Sequence, residues 1–125
     1  MKFETVLPNG VSLMLGSSAD GEEKIASPKV LMLSSLAVCS GLDVVSILEK
    51  MKIQLRDFKI TSEANLTDEH PKYYDKVSLG YHFYGDDLDK EKIKKAVNLS
   101  ITKYCGVMEM FRSFAEIKTE IYYNS

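Results

Sequence analysis

An excess of basic charge is missing from this 125-residue chain: sixteen Lys and Arg stand against eighteen Asp and Glu, for a formal charge of −2. Without a cationic field to offset phosphates, nucleic acid is set aside as a partner. Lys90, Lys92, Lys94 and Lys95 do gather, but Asp86, Asp87, Asp89 and Glu91 interleave with them, which describes a solvated helix face. No secretory leader is visible, since residues 1–7 carry Lys2 and Glu4 and no sustained apolar run. The expected location is therefore cytoplasmic, where thiols stay mostly reduced. Repeats, low-complexity tracts and divisible linkers are also absent, so a single domain over 1–125 is expected, large enough for a modest core. Histidine is scarce: His70 and His82 are the two in the chain, and with two cysteines they match no zinc-ligand spacing. A phosphate loop and a Ser-His-Asp set are missing as well. Neither a metal nor a cofactor is expected.

One long apolar run is present. Val30 to Leu48 contains a single charge, Asp43, and is long enough to cross a bilayer. Ser34, Ser35, Ser40, Gly41 and Ser46 dilute it, and a helix apolar on most sides is also what the middle of a folded core contains. No membrane partner is expected.

Residues 2–7 and 11–15 read as a hairpin around Pro8-Asn9-Gly10. Gly16 to Ala26 reads as a loop. Ser27 and Pro28 then suit the N-cap and first position of a helix that should reach about Lys52. Phe58, Ile60, Ser62, Ala64 and Leu66 alternate with polar residues, and Val77, Leu79, Tyr81 and Phe83 repeat the alternation after the Asp68–Pro71 break, so two antiparallel strands are expected. Asp89 suits the N-cap of a second helix, whose Ile93, Ala96, Val97, Ile101 and Tyr104 fall on one stripe. Gly106 should bend or end it. A short turn through Met108, Met110 and Phe111 follows, then a last strand over Ala115–Tyr123. Runs of paired strands separated by helices describe an α+β fold.

Cys39 and Cys105, sixty-six residues apart, are the chemistry worth pursuing. A cysteine on a buried helix is often a small hydrophobe, and Cys39 alone fits that reading. Cys105 precedes a glycine near the start of a short helix, where free backbone N–H groups favour a thiolate and lower its pKa. Whether the two meet is not contained in their spacing. Asp43 lies four residues after Cys39 on the same helix face, either lining the helix or tuning the thiol.

Three blocks now carry a resemblance. The segment from Ser27-Pro28-Lys29 through Leu36-Ala37-Val38-Cys39-Ser40-Gly41-Leu42-Asp43-Val44-Val45 is the first. Glu69-His70-Pro71-Lys72 with Tyr81-His82-Phe83-Tyr84-Gly85 is the second, and Lys103-Tyr104-Cys105-Gly106-Val107 the third. Together the chain resembles the OsmC/Ohr family over nearly its whole length. The resemblance implies a single OsmC-like domain with a long central helix packed on curved antiparallel sheets, in an intertwined homodimer. It implies that Cys39 attacks the O–O bond of an organic hydroperoxide, that Cys105 resolves the sulfenic acid to a disulfide, and that a dithiol reductant restores both.

The sequence departs from the family at the activating shell. Peroxidase members pair the attacking thiolate with an N-terminal arginine and a glutamate just after the helix-start proline. Here no arginine precedes Arg56, and Lys29 and Val30 occupy the glutamate's region. Lys24 or Lys29 offers positive charge without the planar fork of a guanidinium, and Glu22 and Glu23 lie in the preceding loop. A thiol of pKa about 8.5 is only a few per cent ionised at pH 7, so losing the arginine costs on the order of one to two powers of ten in thiolate. The expected function is a thiol-dependent peroxidase using Cys39 and Cys105, with Lys29 and Asp43 as accessories. The alternative is a weakened relative that binds a small hydrophobic ligand at the dimer interface.

Overall fold

A computed structural model describes residues 1–19 and 21–125; Asp20, inside the expected Gly16 to Ala26 loop, lies outside the described residues. The chain forms two compact units, Met1–Met32 and Leu33–Ser125.

In the first unit, β1 (Lys2–Val6) and β2 (Ser12–Gly16) pair antiparallel, with Phe3 opposite Leu15 and Thr5 opposite Leu13. The hairpin signal acts through its glycine. Gly10 has φ +89°, donates to the Leu7 carbonyl at 2.8 Å, and lets Leu7 N–H reach Val11 O at 2.8 Å. Ser27 caps α1 (Pro28–Lys50) by accepting from Val30 N–H at 3.4 Å. The helix ends two residues before the expected Lys52, which takes a left-handed φ of +61° just past it.

The second unit holds the core. A three-stranded sheet has the order β3 (Asp57–Leu66), β4 (Tyr74–Tyr84), β5 (Glu116–Asn124). β3 and β4 are antiparallel, as the alternation implied, with Phe58 opposite Phe83 and Ile60 opposite Tyr81. β5 runs parallel to β4, pairing Val77 with Ile117 and Tyr81 with Ile121, so the expected all-antiparallel sheet is corrected to a mixed one. The physical cause is the crossover. Two helices and a turn lie between β4 and β5, long enough to return the chain to the same sheet end before the last strand begins.

α1 lies over this sheet. Leu33, Leu36, Ala37, Val44 and Leu48 join Val77, Leu79, Tyr81 and Phe83 of β4, and Ile93, Ala96 and Val97 of α2 (Lys90–Leu99), in one buried cluster. Gly41 permits the close approach: a Cβ there would meet Ile60 Cδ1 at 2.9 Å. By length and composition α1 could also cross a membrane; its buried face is spent on this core. Asp89 caps α2, accepting from Lys92 N–H at 3.1 Å.

After α2 comes one turn of π-helix, Ser100–Tyr104, then α3 (Gly106–Arg112). This turn overturns the continuous stripe expected through Tyr104. The wider turn advances the register, so Ser100 is fully buried while Tyr104 is 53% exposed. The break also falls one residue early, at Cys105, whose backbone is extended at φ −79°, ψ 102°.

Candidate active site

The π-turn delivers the second thiol. Cys105 N–H donates to Ser100 O at 2.9 Å, the five-residue closure that defines such a turn. The turn's next carbonyl, Ile101 O, accepts from the Arg112 guanidinium, with Nη1 at 3.0 Å. Cys105 then serves as N-cap of α3, its Sγ accepting from Met108 N–H at 3.3 Å. In the finished fold Cys39 Sγ, Cys105 Sγ and a carboxylate oxygen of Asp43 all lie within 4.8 Å of one another. The thiols thus meet within one chain. Cys39 and Asp43 are half-buried and Cys105 is buried.

A line of hydroxyls fixes the carboxylate. Tyr81 OH lies 2.7 Å from Ser40 Oγ, which lies 2.8 Å from Ser100 Oγ. Ser100 Oγ in turn shares its one proton between Asp43 Oδ2 at 3.2 Å and Ser40 O at 3.1 Å. An anionic acceptor at one end gives this chain a direction, with each hydroxyl donating toward Asp43. Tyr81, Ser40 and Ser100 are all 0% exposed. Such groups are stable inside a core only when bonded, so the network fixes α1, β4 and the π-turn to one another. Ser40 and Ser100 gave no sign of this in the sequence, where Ser40 only diluted an apolar run. Two buried serines facing a tyrosine across three elements have no linear signature.

The expectation of a lowered Cys105 pKa is corrected. Burial pushes this thiol up to about 11, and the hydrogen bond with Cys39 adds to the rise. The Met108 N–H opposes them, as expected of a helix start, but is outweighed, and the charges of Cys39 and Asp43 raise the pKa further. A seven-residue helix end offers little against removal from water. Burial likewise raises the Tyr81 hydroxyl, with Ser40 opposing and Cys105 and Asp43 adding.

Among the described residues, none of the groups that act on the Cys105 thiol is a cation. Arg56 faces Asp86 at 3.8 Å, and Arg112 is held on Ile101 O beside Glu109. Lys29 is exposed on the first turn of α1. Neither histidine reaches the thiols' cluster: His82 stacks on Tyr122 at 4.5 Å with Nε2 3.1 Å from Thr61 Oγ1, and His70 is exposed.

The chain matches the OsmC-like protein family over residues 21–120. It is 33% identical to Protein YhfA of Escherichia coli over 105 residues, covering 84% of this chain and 76% of the relative. Among solved structures, a hypothetical protein from Aquifex aeolicus VF5 superposes with a TM-score of 0.81 at 29% identity, covering 99% of this chain and 89% of that one. The organic hydroperoxide resistance protein OhrB of Bacillus subtilis shares the fold, with a TM-score of 0.68 at 20% identity over 94% of this chain and 88% of its own.

Proposed function

The chain belongs to the OsmC-like protein family, and from that membership we propose that it is a thiol-dependent peroxidase reducing organic hydroperoxides through Cys39 and Cys105. The observation that carries the reading is the meeting of two sulfurs, sixty-six residues apart in sequence, within 4.8 Å in one chain. Their environments support a division of labour. Cys39 is half-exposed and open to substrate, whereas Cys105 is buried and held protonated.

Cys39 thiolate attacks the outer oxygen of the hydroperoxide. The O–O bond breaks, sulfur gives up two electrons, and the alkoxide leaves as the alcohol after taking a proton. Cys105 then attacks the sulfenic sulfur of Cys39. The S–O bond breaks, the S–S bond forms, and the hydroxyl leaves as water with the Cys105 proton. Asp43, oriented by Ser100, is the carboxylate placed to pass that proton. A dithiol reductant, oxidised in turn, returns both cysteines to thiols.

The working unit is a homodimer in this reading. Val38, Leu42 and Val45 project from α1 at 59%, 68% and 39% exposure, an apolar surface that a second copy would cover. The test is consumption of cumene hydroperoxide with a dithiol donor. Cys39→Ser, folded by circular dichroism, should fall to the uncatalysed rate; unchanged consumption removes the proposal.

A second reading has its own observation. Ala37, Val38, Gly41, Leu42, Val45, Phe58 and Ile60 line an apolar groove of about 330 Å³, in a chain without the family arginine. A small hydrophobic ligand bound there would make this a binding protein of the cytoplasm. Native mass spectrometry separates the two: a co-purifying ligand favours binding, and a ligand-free dimer that forms a disulfide with hydroperoxide favours catalysis.

A further inference from the structure

The geometry points to a reversible site for a soft divalent cation of the zinc class, held by Cys39, Cys105 and Asp43. Three donor atoms from two elements converge there, all within 4.8 Å of one another. Around a tetrahedral zinc, with Zn–S about 2.3 Å and Zn–O about 2.0 Å, ligand atoms stand roughly 3.5–3.8 Å apart. The widest pair exceeds that spacing by at most about an ångström, within reach of side-chain rotation. The donor set selects the ion. Paired thiolates favour zinc and its soft neighbours and disfavour magnesium and calcium, which require oxygen.

The surroundings fit a ligand set better than a bare dithiol. Cys39 and Asp43 are four apart on one helix face, the spacing at which helical ligands share an ion. Asp43 is oriented from behind by Ser100, which Ser40 and Tyr81 support in turn, as outer-shell groups orient metal ligands. A carboxylate beside two thiols is poorly suited to stabilise a thiolate unaided. A divalent ion brings positive charge to a cluster whose three donors are two thiols and a carboxylate. Three protein donors leave the fourth tetrahedral position to solvent or an exogenous ligand, and the half-buried Cys39 and Asp43 leave a way in. The two sulfurs cannot ligate an ion and form a disulfide together, so oxidation by hydroperoxide releases the metal.

The test uses the full chain, reduced and metal-free, titrated anaerobically with cobalt(II) and then zinc(II). One equivalent of cobalt per chain should produce thiolate-to-metal charge-transfer absorption, which zinc abolishes. Cys39→Ser and Cys105→Ser should each remove about half of that intensity, since one of two thiolates is lost. Asp43→Asn should weaken binding by at least about tenfold. Absence of the band, or equal binding by the double serine variant, overturns the site. Should a variant fail to fold, the wild-type chain alone decides: zinc should protect both thiols from alkylation, and unchanged alkylation overturns the site. Hydroperoxide consumption is followed on the same metal-free sample. Turnover without a cobalt band removes the metal site alone, and a cobalt band in protein that consumes no hydroperoxide supports the metal site while removing the peroxidase reading.

Discussion

The two thiols come together on opposite kinds of backbone. Cys39 rides mid-way along α1, a regular helix of twenty-three residues whose apolar face is sealed into the core. Cys105 hangs at a discontinuity, between a π-turn and a seven-residue helix, held by its own N–H, by Met108 N–H, and by Arg112 one step away. A regular helix places its side chain by many repeated bonds, so no single neighbour decides where Cys39 lies. The Cys105 segment depends on a few particular bonds, including Glu109 N–H to Cys105 O at 3.2 Å. Bridging the two sulfurs requires Cα atoms within about 7 Å and a defined torsion.

The strongest break in this comparison is chemical. Cys105→Ser should leave peroxide attack intact but stop after one turnover, with sulfenic acid on Cys39 trapped by dimedone and counted by mass spectrometry. Equal steady-state turnover in this variant would make the two sides interchangeable. Next comes the hydroxyl line that joins them. Ser40→Ala or Ser100→Ala leaves buried partners unsatisfied and should cost about 1–3 kcal/mol in urea unfolding. A loss near zero would mean the line is not formed in solution.

Arg112→Ala tests the irregular side alone. Freed from the guanidinium, Ile101 O returns to solvent and the π-turn loosens. The partly exposed side chain makes the expected loss about 1–2 kcal/mol, with disulfide formation slowed more than peroxide attack in stopped-flow traces. Equal slowing of both steps would show that Arg112 acts on the whole fold.

Titration gives a finer contrast. The folded Cys105 pKa is raised, so the protonated thiol is favoured by folding. Its contribution to stability is complete below the ordinary thiol range and disappears as pH climbs toward about 11. Thermal melts of the reduced wild type should therefore lose ground to those of Cys105→Ala above about pH 9, and parallel curves would reject a protonated, buried thiol. Tyr81, raised chiefly by burial, titrates in both proteins, so the burial part of its contribution cancels in the comparison and only the part due to Cys105 differs. The smallest effect is expected at exposed Lys29. Lys29→Ala should change stability by no more than about 0.5 kcal/mol, and a drop in the second-order rate of Cys39 with hydroperoxide would mark it as the thiolate's cation.

Local order was legible because its causes are local. Ser27 and Asp89 cap the helices they precede, Gly10 turns the hairpin, and the alternation over Phe58–Leu66 produces a strand with one wet face. Tyr104 misled because helical periodicity assumes 3.6 residues per turn, and one wider turn carried it to the surface. The antiparallel expectation for β5 failed because strand direction belongs to the crossover, not to the strand's own residues. The charge state of Cys105 misled for a third reason: a helix start can be read from neighbours in sequence, but burial depends on everything packed around the site.

By themselves, the residues determined the α+β elements, their caps and amphipathic faces, and the identity of the two sulfurs and the carboxylate. Tertiary structure alone decided that these donors converge within 4.8 Å, that hydroxyls from α1, β4 and the π-turn align behind Asp43, and that burial favours the protonated Cys105. Short-range forces act between neighbours and are written along the chain, whereas desolvation and side-chain convergence depend on distances that exist only after packing.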